Sequence, residues 1–191
     1  MTVYSTAEVL QAAGDTARFV RGLIPLTITA SVCGPAATCA CAPGDNLAVH
    51  RLLEVAPEGS VLVVDAGGRT DCGHFGELAA MDAEFRDLQG LVIAGAIRDG
   101  GTVAVLGFPV FHGGFAPASC VKERVGSIGE VRVEPGDWVV GDDDGVVVVP
   151  NAIAESVLAE AEAKAATESE IRAAVRDGMP PLEAYERFGT F

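Results

Sequence analysis

Positive charge is what this sequence has least of: Lys and Arg number 13 against 27 Asp and Glu in 191 residues, a formal net charge of −14. Such a surface repels phosphate backbones and anionic membranes, so neither nucleic acid nor a membrane is expected as a direct partner. A small anion entering so acidic a protein needs local positive charge, which directs attention to an arginine or a divalent cation in a cleft. Long apolar runs are missing too, for nowhere do 18 uninterrupted apolar residues occur. The opening MTVYSTAEVL has no basic segment followed by an apolar core, and a cytoplasmic location is expected. Cysteines are few, five in number (Cys33, Cys39, Cys41, Cys72 and Cys120), odd in count and irregular in spacing, which suits reduced thiols better than a disulfide framework. Cys39 and Cys41 share one face of a strand-like segment and are read as small buried hydrophobes rather than a metal or redox pair. There are no internal repeats and no low-complexity linker.

What is present suffices for one core, since 49% of the residues are hydrophobic. The expected organisation is an α/β domain over residues 1–150 and a helical extension over 151–191. Ser5 stands three residues before Glu8, a capping-box pattern that starts a helix ending near Gly14. Two β-rich stretches follow, LTITASVCG and AATCACAPG, and then Gly44, Asp45 and Asn46 cap a second helix. SVLVVDAGG is a near-continuous apolar run, hence a strand buried on both faces. A loop over 69–75 leads to a helix, GELAAMDAEFRDLQG, and then to a second buried strand, LVIAGAI. Beyond it TVAVLGFPVF, CVKERV, EVRV, DWVVGD and GVVVVP all read as β, with turns at 135–137 and 142–145. From Asn151 the chain turns rich in Ala and Glu and runs helically to Gly178; so polar a helix packs across a surface or against another subunit.

Strand, crossover helix, strand is a βαβ unit with parallel strands. Its first strand's carboxyl end, the helix start and the second strand's carboxyl end share one sheet edge. Asp65, the helix start at Gly76, Glu77, Leu78 and Ala79, and the strand end at Arg98 and Asp99 should therefore converge. The first amides of a helix lack intrahelical acceptors and form a ready carboxylate site. Arg98 adds a bidentate fork, and Asp99 could hold a hard cation, Mg²⁺ in the first place or Mn²⁺. Together they suit a 2-oxo acid, with the carboxylate on amides and guanidinium and the oxo group on the metal.

Each piece also has a plain structural reading. Arg-Asp after a strand is commonly a surface ion pair, and a second such pair, Arg86 with Asp87, is assigned to a solvated helix face. The run 142–144 is read as a tight turn rather than a cation site. His50 and His112 are read as structural; His74, before Gly76, is a secondary candidate for proton transfer. Asp65 is the stronger outlying candidate.

The segments GDNLAVHRLLEVAPEGSVLVVDAGG, GELAAMDAEFRDLQGLVIAGAIRDG, GFPVF and PGDWVVGDDDGVVVVP resemble, in order and spacing, the RraA-like family that includes 4-hydroxy-4-methyl-2-oxoglutarate aldolase. The resemblance implies an α-β-β sandwich of the swivelling β/β/α type, with a central βαβ unit and a C-terminal helix, assembled as a homotrimer or hexamer. Family class II aldolases carry an acidic residue, twenty intervening residues and Arg-Asp, and Glu77 stands in that relation to Arg98 and Asp99. By resemblance Arg98 binds the pyruvoyl carboxylate, Asp99 anchors the divalent metal, and Gly76, Glu77, Leu78 and Ala79 supply backbone amides. The implied activity is metal-dependent cleavage of 2-oxo acids through a pyruvate enolate, as aldolase, oxaloacetate decarboxylase or both. No lysine lies in these motifs, against a Schiff-base route.

The chain departs from the family pattern at Glu77, where characterised aldolases have Asp, and at Val131 to Glu134, where a strand and a Gly-Gly turn are shortened. The family's neighbouring-subunit glutamate has no secure match among Glu168, Glu170 and Glu183. The alternative the resemblance implies is a protein regulator that binds and inhibits ribonuclease E; retention of Asp99 favours the enzyme. A methyltransferase is not supported, because residues 65–68 form no GxGxxG fingerprint.

Overall fold

The computed structural model describes residues 4–120 and 133–188. The elements in chain order are α1 (Thr6–Ala13), β1 (Arg18–Val20), β2 (Ile24–Pro25), β3 (Val32–Ala40), α2 (Leu47–Val55), β4 (Val61–Gly73), α3 (Glu77–Phe85), β5 (Gly90–Ile97), α4 (Gly100–Leu106), β6 (Val110–Phe115), β7 (Trp138–Asp142), β8 (Gly145–Val149), α5 (Asn151–Arg176) and α6 (Pro181–Phe188). The strands run in the order β1-β8-β7-β3-β4-β5-β6-β2. β3 to β6 are parallel, whereas β7, β8 and β1 continue the sheet antiparallel. β3 belongs to both halves: Val32 to Pro35 pair with β7, and Ala36 to Ala40 pair with β4.

Alternation along the strands separates three apolar layers. Leu62, Val64, Leu91 and Ile93 face the helices α2, α3 and α4 through Leu53, Ala80, Ala83 and Val103. Val61, Val92, Phe111, Val139 and Val146 fill the space between the two halves of the sheet. On the outer face of the antiparallel half, Val140, Val147 and Val149 meet Val9 of α1 and Ala154, Val157, Leu158 and Ala161 of α5. The result is the expected α-β-β sandwich with α1 and α5 as a further outer layer. Ile93, fully buried beneath the parallel strand ends, illustrates how tightly this scaffold is held; truncation to Ala at such a position costs about 2–5 kcal/mol.

The structure corrects several sequence expectations. The expected loop over 69–75 is mostly strand, because β4 continues to Gly73 by way of register shifts after Asp65 and Arg69. Thr102 to Leu106 lie in α4 rather than in a strand. β5 and β6 are parallel, and a parallel pair needs a crossover, so topology overrides the β-branched composition of TVAVL. The two β-rich stretches collapse into β3, with Leu26 to Ala30 outside any strand. Ser5 makes no capping hydrogen bond; instead Asp142 accepts from the amide of Thr6 at 3.0 Å and from its hydroxyl at 2.6 Å. A carboxylate at a helix start is well placed against the helix dipole, and it ties the β7–β8 hairpin to α1. Arg86 pairs with Asp82 at 2.8 Å, and Asp87 lies beyond the end of α3 with φ 55°. Residues 121–132, which take in all but Cys120 and Val133 of the expected strands CVKERV and EVRV and the first two residues of the shortened segment from Val131, lie outside the described residues. No helix among the described residues is long and apolar enough to cross a membrane.

Candidate active site

β5 ends at the fully buried Ile97, and Arg98 and Asp99 leave the sheet there. Its end is laced to the segment entering α3: the amide of His74 donates to the carbonyl of Ala96 and that of Arg98 to the carbonyl of Phe75, each at 2.9 Å. This lacing brings positions 76–79 against 98–99.

Asp99 adopts a left-handed backbone (φ 54°, ψ 30°) as it opens α4. Aspartate is among the few residues with a side chain that tolerate this conformation. The turn sends its carboxylate back toward α3, where Oδ2 lies 3.5 Å from the Glu77 amide and 3.4 Å from Arg98 Nε. Gly76, the residue before α3, permits the approach. Its backbone is extended, but a Cβ there would stand 2.7 Å from Asp99 Oδ2 and 2.9 Å from Arg98 Cγ.

Arg98 is also held from the other side, with Nη1 donating to Ser119 Oγ at 2.6 Å. Ser119 is positioned by a bridge to Gly73, whose amide donates to the carbonyl of Ala118 at 2.9 Å. Sequence reasoning missed Ser119, a lone serine in APASC with no motif spacing to mark it. The Arg98 and Asp99 side chains are 39% and 43% exposed, so their ion pair adds at most about 1 kcal/mol to stability. Both polar contacts of the guanidinium among the described residues run through Nη1 and Nε, which leaves Nη2 without one there.

Gly76, Glu77, Leu78, Ala79, Arg98 and Asp99 therefore do gather at one edge. Leu78 is 76% exposed, so it can offer an anion its amide only. Asp65 does not join them. It pairs with Ala94 inside β4, accepts from the Gly67 amide at 2.7 Å, and lines a 660 Å³ cavity on the other face of the sheet. That cavity contains none of the six residues, and its walls are chiefly aliphatic, which does not suit a small anion. His74 is 1% exposed with Nε2 3.9 Å from Cys72 Sγ, and burial holds it below its usual pKa of 6.5, neutral and away from solvent. It is not placed to relay protons. His112 is likewise buried, with Nδ1 on the carbonyl of Gly114, and His50 is exposed on α2. Glu168 pairs with Arg172 at 3.2 Å and faces Glu8 of its own chain, whereas Glu170 and Glu183 are exposed.

A parallel sheet flanked by helices, backed by an antiparallel sheet and carrying Arg-Asp where a strand end meets a helix start, defines the class of fold. The profile of the RraA-like family (aldolase/RraA) matches residues 6–148, and the chain belongs to that family. It is 37% identical, over 84% of its own length and 80% of the relative's, to a protein of Halalkalibacterium halodurans provisionally named 4-hydroxy-4-methyl-2-oxoglutarate aldolase. Among solved structures, an uncharacterised protein of Pseudomonas syringae pv. tomato superposes with TM-score 0.82 at 29% identity, covering 95% of this chain and 92% of the other. Streptomyces coelicolor RraAS2, described as an unusual member of the RNase ES inhibitor RraA protein family, superposes with TM-score 0.77 at 30% identity, covering 88% and 91%.

Proposed function

We propose that the protein is a divalent-metal-dependent carbon–carbon lyase that cleaves 2-oxo acids through a pyruvate enolate, with 4-hydroxy-4-methyl-2-oxoglutarate and oxaloacetate as substrates. The observation that carries this reading is the meeting of Arg98 and Asp99 with the start of α3. The aldolase name of the Halalkalibacterium relative supports it.

Asp99 offers a half-exposed carboxylate whose described polar partners, Arg98 Nε and the Glu77 amide, stand no closer to Oδ2 than 3.4 Å. An oxygen donor in that setting fits a hard cation, Mg²⁺ or Mn²⁺, with Asp99 as its anchor. Such a cation, when bound, supplies Lewis-acid polarisation of the 2-oxo oxygen. The chain's own residues do the rest. Arg98 binds the substrate carboxylate through its fork, joined by the unpaired amides at the start of α3. Fixed by Ser119, its charge also stabilises the negative charge that grows on the 2-oxo oxygen as the bond breaks. Glu77, half-buried at that helix start, accepts the 4-hydroxyl proton through water in the aldol case. Decarboxylation needs no such base. Lys164, the lysine among the described residues, lies on α5 beside Glu160 at 3.7 Å and supplies no Schiff base.

The reading includes a homo-oligomer, trimer or hexamer. Leu78, Met81 and Phe85 form one stripe on α3 at 76%, 50% and 86% exposure, opposite the buried Ala80 and Ala83. An apolar stripe turned to solvent beside the site suits burial against another copy.

A substrate panel scored by pyruvate formation, with and without divalent cation, tests the proposal. Cation-dependent pyruvate release that is lost in Arg98→Ala supports it, and undiminished release in that variant removes the site. The second reading, ribonuclease binding, draws on the Streptomyces relative's description. Capture of ribonuclease E by a protein inactive across the panel would replace the enzyme with the regulator.

A further inference from the structure

Ser119 has a neighbour that the lyase reading does not use. Cys120, the next residue, brings its thiol to the thiol of Cys72 and the imidazole of His74, and the three ligand atoms all lie within 4.8 Å of one another. Cys72, the second-last residue of β4, and His74, just beyond its end, stand two apart and turn their side chains together. Cys120 is delivered by the bridge between Gly73 and Ser119. Cys72 and His74 are 6% and 1% exposed. As built, this is an expensive way to fill a core. Nε2 has only a weak sulfur contact at 3.9 Å, and Nδ1 has no partner among the described residues. A buried imidazole so poorly satisfied costs about 1–3 kcal/mol, which apolar side chains of similar size would avoid.

We propose that Cys72, His74 and Cys120 form a binding site for a thiophilic divalent cation of the zinc class, with two sulfurs and Nε2 as ligands and a fourth position open to water. The donor set differs in kind from Asp99. Two thiolates and an imidazole select soft or borderline cations, whereas a lone carboxylate suits Mg²⁺ or Mn²⁺. Zn–S bonds of about 2.3 Å and Zn–N bonds of about 2.0–2.1 Å require the three donors to draw slightly closer together, which side-chain rotation achieves. Both thiols lose their protons to solvent as the metal–sulfur bonds form, and the two thiolates then balance the cation's charge. The complex is therefore neutral, as its burial demands. Because Ser119 precedes Cys120 and holds Arg98, the metal fixes the arginine from behind and acts as a positioning element.

The test titrates chelator-treated, reduced protein with Co²⁺ as the spectroscopic probe. The expected result is a thiolate-to-cobalt charge-transfer band that saturates at about one equivalent, is displaced by Zn²⁺ and is indifferent to Mg²⁺. Cys72→Ser and Cys120→Ser should each abolish the band, while Cys33→Ser and Asp99→Asn keep it. Absence of the band in the unmodified protein, or its survival in the double serine variant, overturns the proposal. Should the serine variants fail to fold, alkylation of the unmodified protein mapped by mass spectrometry decides. Protection of Cys72 and Cys120 by Zn²⁺ supports the site; equal labelling with and without Zn²⁺, or a disulfide between them in reduced preparations, overturns it.

Discussion

The Asp99 carboxylate lies 3.5 Å from the Glu77 amide and so joins the end of β5 to the start of the helix that precedes it. The contact is long for a hydrogen bond, and its partner Arg98 is held more firmly by Ser119 than by Asp99. Both features leave the acid and the guanidinium available to a ligand.

Gly76→Ala separates chemistry from stability. The new Cβ would meet Asp99 Oδ2, the end of one half-exposed side chain, at 2.7 Å and Arg98 Cγ, in the stem of the other, at 2.9 Å, so both side chains must turn aside. Displacement of reacting groups by about 1 Å can cost roughly 10²-fold in rate. Steady-state kinetics should show that loss in kcat/KM for pyruvate release, with thermal unfolding little changed.

Ser119→Ala tests how Arg98 is held. A hydrogen bond to a charged group contributes about 1.5–3 kcal/mol, so losing it should lower kcat/KM by about ten- to a hundredfold. Arg98→Lys keeps the charge but not the fork and should fare no better. Full activity in both variants would show that the guanidinium needs no fixed orientation.

The apolar stripe on α3 gives a prediction about assembly. Phe85→Glu places a charge on a face that the protein is proposed to bury in an oligomer. Sedimentation analysis should show a smaller species for the variant than for the unmodified chain. Identical oligomers in both would remove α3 from the interface.

Glu8 supplies a pH signature away from the site. Burial first, and then the Glu168 carboxylate, raise its pKa above the usual 4.5. The folded protein thus keeps this proton to higher pH than the unfolded chain, and stability from this group falls as pH rises from about 4.5 through the raised value. Glu8→Gln should unfold at higher temperature than the unmodified protein at pH 7, with the difference vanishing near pH 4. An equal difference at both values would assign the effect to packing.

Much of the site was legible because its parts obey local rules. A buried run that stops at Arg98, a glycine before a helix, and parallel topology together dictate which edge they share. Asp65 misled because the strand end was placed at the first glycines, whereas the register shifts in β4 carry pairing on to Gly73. TVAVL misled because composition was weighed without the crossover that a parallel β5–β6 pair requires. Ser119 has no signal of its own; it meets Arg98 only through the bridge to Gly73. The Cys-Gly-His spacing at 72–74 was visible, but its third member lies 46 positions away and only folding brings it in.

The central claim is that Arg98 and Asp99 form a cation-assisted lyase site, and Asp99→Asn tests it most directly. Asparagine also tolerates the left-handed backbone at this position, so the substitution removes the charge without disturbing the turn. Pyruvate release from oxaloacetate and from 4-hydroxy-4-methyl-2-oxoglutarate should be measured after chelation and again after Mg²⁺ is restored. The account predicts that Mg²⁺ revives the unmodified protein at least about 10²-fold more than the variant. Equal revival of the two would contradict it.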